Sequence, residues 1–256
     1  MIFMKLIPLK SGSRGNAALV FADNTKILVD CGVSGKCAEN ALTAVGVDPS
    51  ELSAIVVTHE HIDHIAGVGV MMRRYKLPVW ANEGTWNAMK DQLGKTDEKL
   101  VRVFDTQSEF EIGSIGVKAF SIPHDAADPV GYSFMHKTDK VSVATDIGEL
   151  KKDLFDAIKG SSTVLLEANH DVNMLEIGKY PPALKRRIRG ALGHLSNDEA
   201  AMASEFLVKM GTEQIILGHL SEENNYPRLA EQTVVCALDN ADIKCGRDVL
   251  LKVAAS

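Results

Sequence analysis

The feature that most constrains this chain is a short run of metal-type donors, Thr58-His59-Glu60-His61-Ile62-Asp63-His64, set directly after the apolar segment Ala54-Ile55-Val56-Val57. That segment is short and β-branched, which predicts a buried strand rather than a helix. Three histidines and an aspartate packed into six residues at a strand end have little packing rationale. Histidine is only moderately buried in proteins, and aspartate is almost never buried without a partner. Cations would gather all four. His59 and His61 are two apart, so in extended backbone both imidazoles fall on one side. Asp63 and His64 are adjacent and point elsewhere, so the pattern predicts two metal positions.

The same placement recurs later. His124 follows the expected strand Ile115 to Ser121, Asp146 follows Val141 to Ala144, and His219 follows Gln214 to Leu217. A sheet edge can hold a donor rigidly at each such point. Taken singly, each is an ordinary strand-end residue; their repetition is what predicts a site.

A chain of 256 residues can bury a large core, as one α/β domain or two small ones. We expect a single domain, 1–256, because no linker, low-complexity segment or fixed-period repeat interrupts it. No run of eighteen apolar residues exists, so no membrane span is expected. Met1 to Ile7, closed by Pro8, is too short and wrongly ordered for a signal peptide. Cys31, Cys37, Cys236 and Cys245 contain no Cys-x-x-Cys pair and read as reduced thiols of a cytoplasmic protein. The net charge of −6 argues against bulk nucleic-acid binding but leaves room for a local basic patch.

Strands are expected at Lys5 to Leu9, Ala17 to Phe21, Lys26 to Val29, Leu100 to Phe104, Val130 to Met135, Thr163 to Leu166 and Val249 to Val253. Helices are expected at Lys36 to Val45, Ile65 to Tyr75, Glu83 to Leu93, Glu149 to Ile158, Glu199 to Met210 and Pro227 to Leu238, with a basic helix opened by Pro181-Pro182. Strand clusters in both halves, each followed by helices, suggest two packed sheets with helices outside.

His59-x-His61-x-Asp63-His64 after a hydrophobic strand resembles the signature of the metallo-β-lactamase fold superfamily. The resemblance implies an α/β chain with the four-layer αββα sandwich. It implies that His59, His61 and His124 bind one ion, Asp63, His64 and His219 a second, and that Asp146 bridges them. Two such ions make hydroxide available near neutral pH, which implies hydrolysis. Asp146 departs from true β-lactamases of the superfamily, which lack that bridge, and His61 departs from its di-iron oxidoreductases.

A thioesterase of the glyoxalase II type shares these ligands, but its C-terminal part is helical, whereas this chain returns to strand-like runs. Superfamily phosphodiesterases carry one further histidine between the bridging aspartate and the last ligand, oriented by an upstream acid. His194 and Glu167 occupy those places, so Asp63, His194 and Glu167 are the candidate catalytic residues. Three motifs resemble the bacterial YycJ (WalJ) group across nearly the whole chain. They are Ser11-Gly12-Ser13-Arg14-Gly15-Asn16, Leu166-Glu167-Ala168-Asn169-His170-Asp171 and Gly193-His194-Leu195-Ser196-Asn197, with Glu222-Glu223-Asn224-Asn225 beyond. Ala17 departs from the serine expected there. The resemblance implies a 5′-to-3′ DNA exonuclease acting on duplex ends.

Lys185-Arg186-Arg187-Ile188-Arg189 could neutralise backbone phosphates, although a solvated helix face is the commoner fate of such runs. Asn169, His170, Ser196, Arg186 and Arg187 are the candidate phosphate contacts. Three histidines with a carboxylate suit two Zn²⁺ or Mn²⁺ ions, with Fe²⁺ a further option. Competing readings are a small-molecule phosphodiesterase, a thioester hydrolase, and a metal-stabilised regulatory scaffold without turnover. Monomer and homodimer are both compatible with the sequence.

Overall fold

Short β-branched runs punctuated by turn residues become strands in the computed structural model, which describes residues 4–106 and 108–255. Met1, Ile2 and Phe3 of the opening stretch lie outside the described residues. The chain divides into two compact units, one of residues up to 121 with 126–139, the other of 122–125 with 140–255.

In the first unit, β1 (Lys5–Lys10), β2 (Ala17–Ala22) and β3 (Thr25–Val29) form an antiparallel meander, with Leu6 opposite Val20 and Leu19 opposite Leu28. Next come α1 (Gly35–Ala44), β4 (Ala54–Val56), α2 (Ile62–Ile65), α3 (Val68–Tyr75), β5 (Val79–Asn82), α4 (Glu83–Met89) and β6 (Val101–Phe104). β4, β5 and β6 extend the sheet in parallel, which the intervening helical crossovers permit. Leu19, Leu28, Ala38, Leu42, Ile55, Met71 and Met72 form part of its core. Burying each large side chain contributes about 1.5–3 kcal/mol. β7 (Glu109–Ile112), β8 (Ile115–Ser121) and β9 (Val130–His136) are antiparallel neighbours.

The second unit takes β10 (Asp139–Ala144) from Lys140 onward, then α5 (Lys152–Ile158) and β11 (Thr163–Glu167). After α6 (Val172–Ile177), α7 (Pro182–Ile188) and α8 (Asn197–Lys209) come β12 (Gln214–Gly218), α9 (Pro227–Asn240) and β13 (Leu250–Val253). β10 to β13 pair in parallel, Val141 with Thr163, Thr163 with Gln214, and Gln214 with Leu250. Their apolar residues Val164, Leu166, Ile215 and Leu217 are buried, as are Ala203 and Leu207 of α8 and Val234 and Leu238 of α9. A capping box starts α8: Ser196 Oγ accepts the Glu199 N–H, and the Glu199 carboxylate accepts the Ser196 N–H.

Most expected elements appear within a residue or two of their expected ends. Three differences matter. The helix expected over Ile65 to Tyr75 is two pieces, because the Gly67 N–H donates to the Cys31 carbonyl (2.7 Å). The first piece begins at Ile62, before the expected start at Ile65, so Asp63 and His64 sit on a helical turn. β5, β7 and α6 were not expected. All four cysteines are free. No helix among the described residues is long and apolar enough to cross a membrane.

Candidate metal centre

Non-glycine residues rarely adopt positive φ. Among the strand-end residues that do so here are Asp30 (φ 58°) after β3, Asp146 (φ 62°) after β10 and His219 (φ 56°) after β12. Each turns its strand sharply at the point where a polar side chain must be aimed. Such backbone states cost on the order of 1–3 kcal/mol and persist only where surrounding bonds enforce them.

In the first unit Asp30 is that enforcing group. Its Oδ1 accepts the Thr58 N–H and its Oδ2 the Thr58 hydroxyl, both at 2.8 Å. The same Oδ2 lies 2.8 Å from His64 Nδ1. Thr58 Oγ1 is also 3.0 Å from His59 Nδ1. His59 and His64 are buried, and their rings lie 4.1 Å apart. The His59 and His61 rings meet edge to face at 4.6 Å, as expected for alternate residues in extended backbone. Asn16, from the Ser11–Asn16 motif, donates its backbone N–H to the Asp63 carbonyl (2.8 Å) and sets its amide nitrogen 3.1 Å from His64 Nε2.

In the second unit the organising acid is Glu167, fully buried at the end of β11. Its Oε1 lies 2.8 Å from both His194 Nδ1 and His219 Nδ1. Its Oε2 accepts the backbone N–H groups of Ile147 (2.7 Å) and Leu195 (3.1 Å). Burial alone would push this carboxyl upward, but the charge and hydrogen bonds of His194 and His219 hold it well below the usual carboxylate range. Asp146 Oδ1 is 3.4 Å from His219 Nδ1 and 3.8 Å from His124 Nε2. His124 Nδ1 faces the Gly193 carbonyl at 3.2 Å, and burial pushes its imidazolium downward against the attraction of Asp146. His194 is more open, its side chain 21% exposed.

These donor sets fit divalent ions. In His64 and His219 a carboxylate engages Nδ1, and in His124 a carbonyl does, the outer-shell pattern that fixes a metal-binding tautomer. Within the second unit, Asp146, Glu167, His194 and His219 each offer a donor atom, all within 4.8 Å of one another.

The remaining candidate residues fall as follows. The Asn169 amide donates to the His219 carbonyl (2.9 Å). The Ser196 hydroxyl is engaged by Glu199 in the cap of α8. His170 is buried, and its Nδ1 has no hydrogen-bond partner among the described residues. Arg187 pairs with Asp125, next to His124, while the exposed Arg186 makes no ion pair among the described residues. Sequence reading missed Asp30 and Thr58 as orienting groups. The only signal was an aspartate closing a β-branched run, the same context that marks Asp146.

Residues 25–220 match the family described as the beta-lactamase superfamily domain. The chain is 41% identical over 240 residues to exodeoxyribonuclease YycJ of Bacillus anthracis, covering 93% of this chain and 90% of that protein. It is 40% identical over 242 residues to exodeoxyribonuclease WalJ of Streptococcus pneumoniae, covering 94% and 90%. Among solved structures, the metallo-β-lactamase fold protein YhfI from Bacillus subtilis superposes with a TM-score of 0.73 at 15% identity, covering 99% of this chain and 97% of that one. With its two sheets and intervening helices, its histidine and aspartate donors and this match over most of its length, the chain belongs to the metallo-β-lactamase fold superfamily of metal-dependent hydrolases.

Proposed function

We propose that the chain is a single-domain, metal-dependent exodeoxyribonuclease of the cytoplasm, degrading duplex DNA from 5′ ends with two divalent ions. The observation that carries the reading is the His194–Glu167 pair at 2.8 Å, in a chain 41% identical to a protein named as an exodeoxyribonuclease. Bound by His59, His61, Asp63, His64, His124, Asp146 and His219, two divalent ions, zinc or manganese, would supply Lewis acidity and a water acidic enough to attack phosphorus near neutral pH.

This chain's own residues supply the rest. Hydrolysis forms a P–O bond to water and breaks the P–O ester bond, so the leaving oxygen must receive a proton. Glu167 on Nδ1 leaves Nε2 of His194 to carry and deliver it. The Ile147 and Leu195 N–H groups on the other oxygen of Glu167 keep the carboxylate from rotating away. Arg186, exposed on α7, supplies a cation for the DNA backbone.

The test is a time course on duplex DNA labelled at one 5′ end, with protein loaded with Mn²⁺ or Zn²⁺ and Asp146→Ala alongside. Early release of labelled mononucleotides or short oligonucleotides by the intact protein only is expected. An absence of cleavage with either ion would sink the nuclease reading and direct the same assay to cyclic phosphodiesters and thioesters.

A further inference from the structure

The three motifs of the second unit each contain an asparagine that the catalytic reading leaves without a role: Asn169, Asn197 and Asn225. We propose that these asparagines form a buried positioning lattice that holds His219 in its left-handed backbone conformation and so sets how tightly this ligand engages a divalent ion. The inference rests on the metal centre proposed above.

The three are buried, at 6%, 1% and 4% exposure. A buried amide is costly unless its donors and acceptors are met, and here they are met by one another and by the ligand loops. Asn197 donates to Asn225 Oδ1 at 3.1 Å, and Asn225 donates back to Asn197 Oδ1 at 2.8 Å, a reciprocal amide pair. The two hydrogens of Asn225 Nδ2 are shared further with the carbonyls of Ala168 (2.9 Å) and Asn169 (3.1 Å). Asn225 Oδ1 also accepts the N–H of Tyr226 (2.9 Å). One side chain thus ties the loop leaving β11 to the start of α8 and to the loop leaving β12.

Asn169 completes the link to the ligand. Its amide donates to the His219 carbonyl at 2.9 Å, and its own carbonyl accepts the Ser221 N–H at 2.8 Å. The left-handed turn at His219 swings that carbonyl out of the strand ladder, and a buried carbonyl needs a donor. Asn169 supplies it. Without it the left-handed state, disfavoured by about 1–2 kcal/mol for an ordinary residue, loses its support, and the His219 ring loses its fixed approach to Glu167. The asparagines are positioning residues: they touch the ligand's backbone and loop, not its ring.

Titration of the metal-free chain with Mn²⁺, with thermal melting of the same samples, tests this. Asn169→Ala is expected to bind Mn²⁺ about 10- to 100-fold more weakly than wild type. Ser204→Ala is the comparison, since it removes another buried hydrogen bond of this unit, to the Ala200 carbonyl at 2.7 Å. It should melt lower but keep wild-type affinity. Asn225→Asp keeps the side chain's shape while turning its donor into an acceptor, so it carries the same expectation should Asn169→Ala not fold. Affinity of the asparagine variants within threefold of wild type, or an equal loss in Ser204→Ala, would overturn the lattice alone. Wild type binding neither Mn²⁺ nor Zn²⁺ would overturn the metal centre and this inference with it.

Discussion

Each unit carries one buried carboxylate that orients histidines, but the two acids distribute their bonds differently. Asp30 directs two bonds to Thr58 and one to His64. Glu167 divides one oxygen between His194 and His219 and anchors the other on two backbone N–H groups. The first acid braces a single imidazole. The second couples two imidazoles with different proposed roles, a ligand and a proton donor, so neither can be reoriented without the other.

That difference predicts unequal losses. Glu167→Ala should lower kcat for DNA cleavage by about 10²–10⁴-fold, even at saturating Mn²⁺, because the proton donor loses its orienting partner. Asp30→Ala should weaken metal binding by about 10- to 100-fold and recover most of its kcat once Mn²⁺ is raised. Equal kcat losses at saturating metal would break the comparison.

The same contrast explains what could be read from the chain. The first unit's donors lie in one run, Thr58 to His64, where local spacing alone predicts metal binding. Those of the second unit are spread from His124 to His219 and became a set only through the repeated strand-end placement and a family resemblance. The bonding roles of Asp30 and Asn225 stayed invisible because their partners are distant in sequence: Asp30 reaches Thr58 and His64, and Asn225 reaches Ala168 and Asn197. β5 was missed because four residues after Pro78 carry no alternation, and β7 because charges flank its only two apolar positions. The basic helix was legible as a charge run, but the commitment of Arg187 to Asp125 was not.

Two glycines sharpen the comparison sterically. A Cβ on Gly32 would lie 1.5 Å from the Asp63 carbonyl oxygen, and one on Gly148 would lie 2.3 Å from that of Ala191. Both contacts are backbone, which cannot swing aside. Each alanine variant should lose about 1–3 kcal/mol in urea unfolding of the metal-free chain, Gly32→Ala the more. Gly148→Ala should also lower kcat, since Ala191 to Gly193 lead into His194. A loss of stability without loss of kcat would uncouple that loop from the proposed acid.

Charge on α7 gives a smaller effect. Arg186→Glu should weaken DNA binding and lower the slope of log affinity against log salt by about one. Arg187→Glu should instead destabilise the second unit, because it sets two acids together where Arg187 now pairs with Asp125. Identical salt slopes for Arg186→Glu and wild type would remove Arg186 from the DNA contact.

The smallest expected effect is on acid stability. His136 in the first unit has Asp23 at 3.2 Å from Nε2 and the Ser114 carbonyl at 2.9 Å from Nδ1. His170 in the second has no such partner on Nδ1 among the described residues, and burial pushes its imidazolium below the ordinary value, Glu167 and Glu199 opposing only in part. Below its ordinary value near 6.5 the unfolded chain therefore binds a proton that the folded chain resists. More protons on the unfolded state means that stability falls as pH falls through that window. His170→Gln should flatten this acid limb by at most about one proton, or about 1.4 kcal/mol per pH unit, in urea unfolding of the metal-free chain between pH 7 and pH 5. Hydrogen exchange on the same samples assigns the change to a unit. Protection restored around Asn169 to Ser196 supports a neutral buried His170, whereas an unchanged acid limb would mean that the folded chain accommodates its charge.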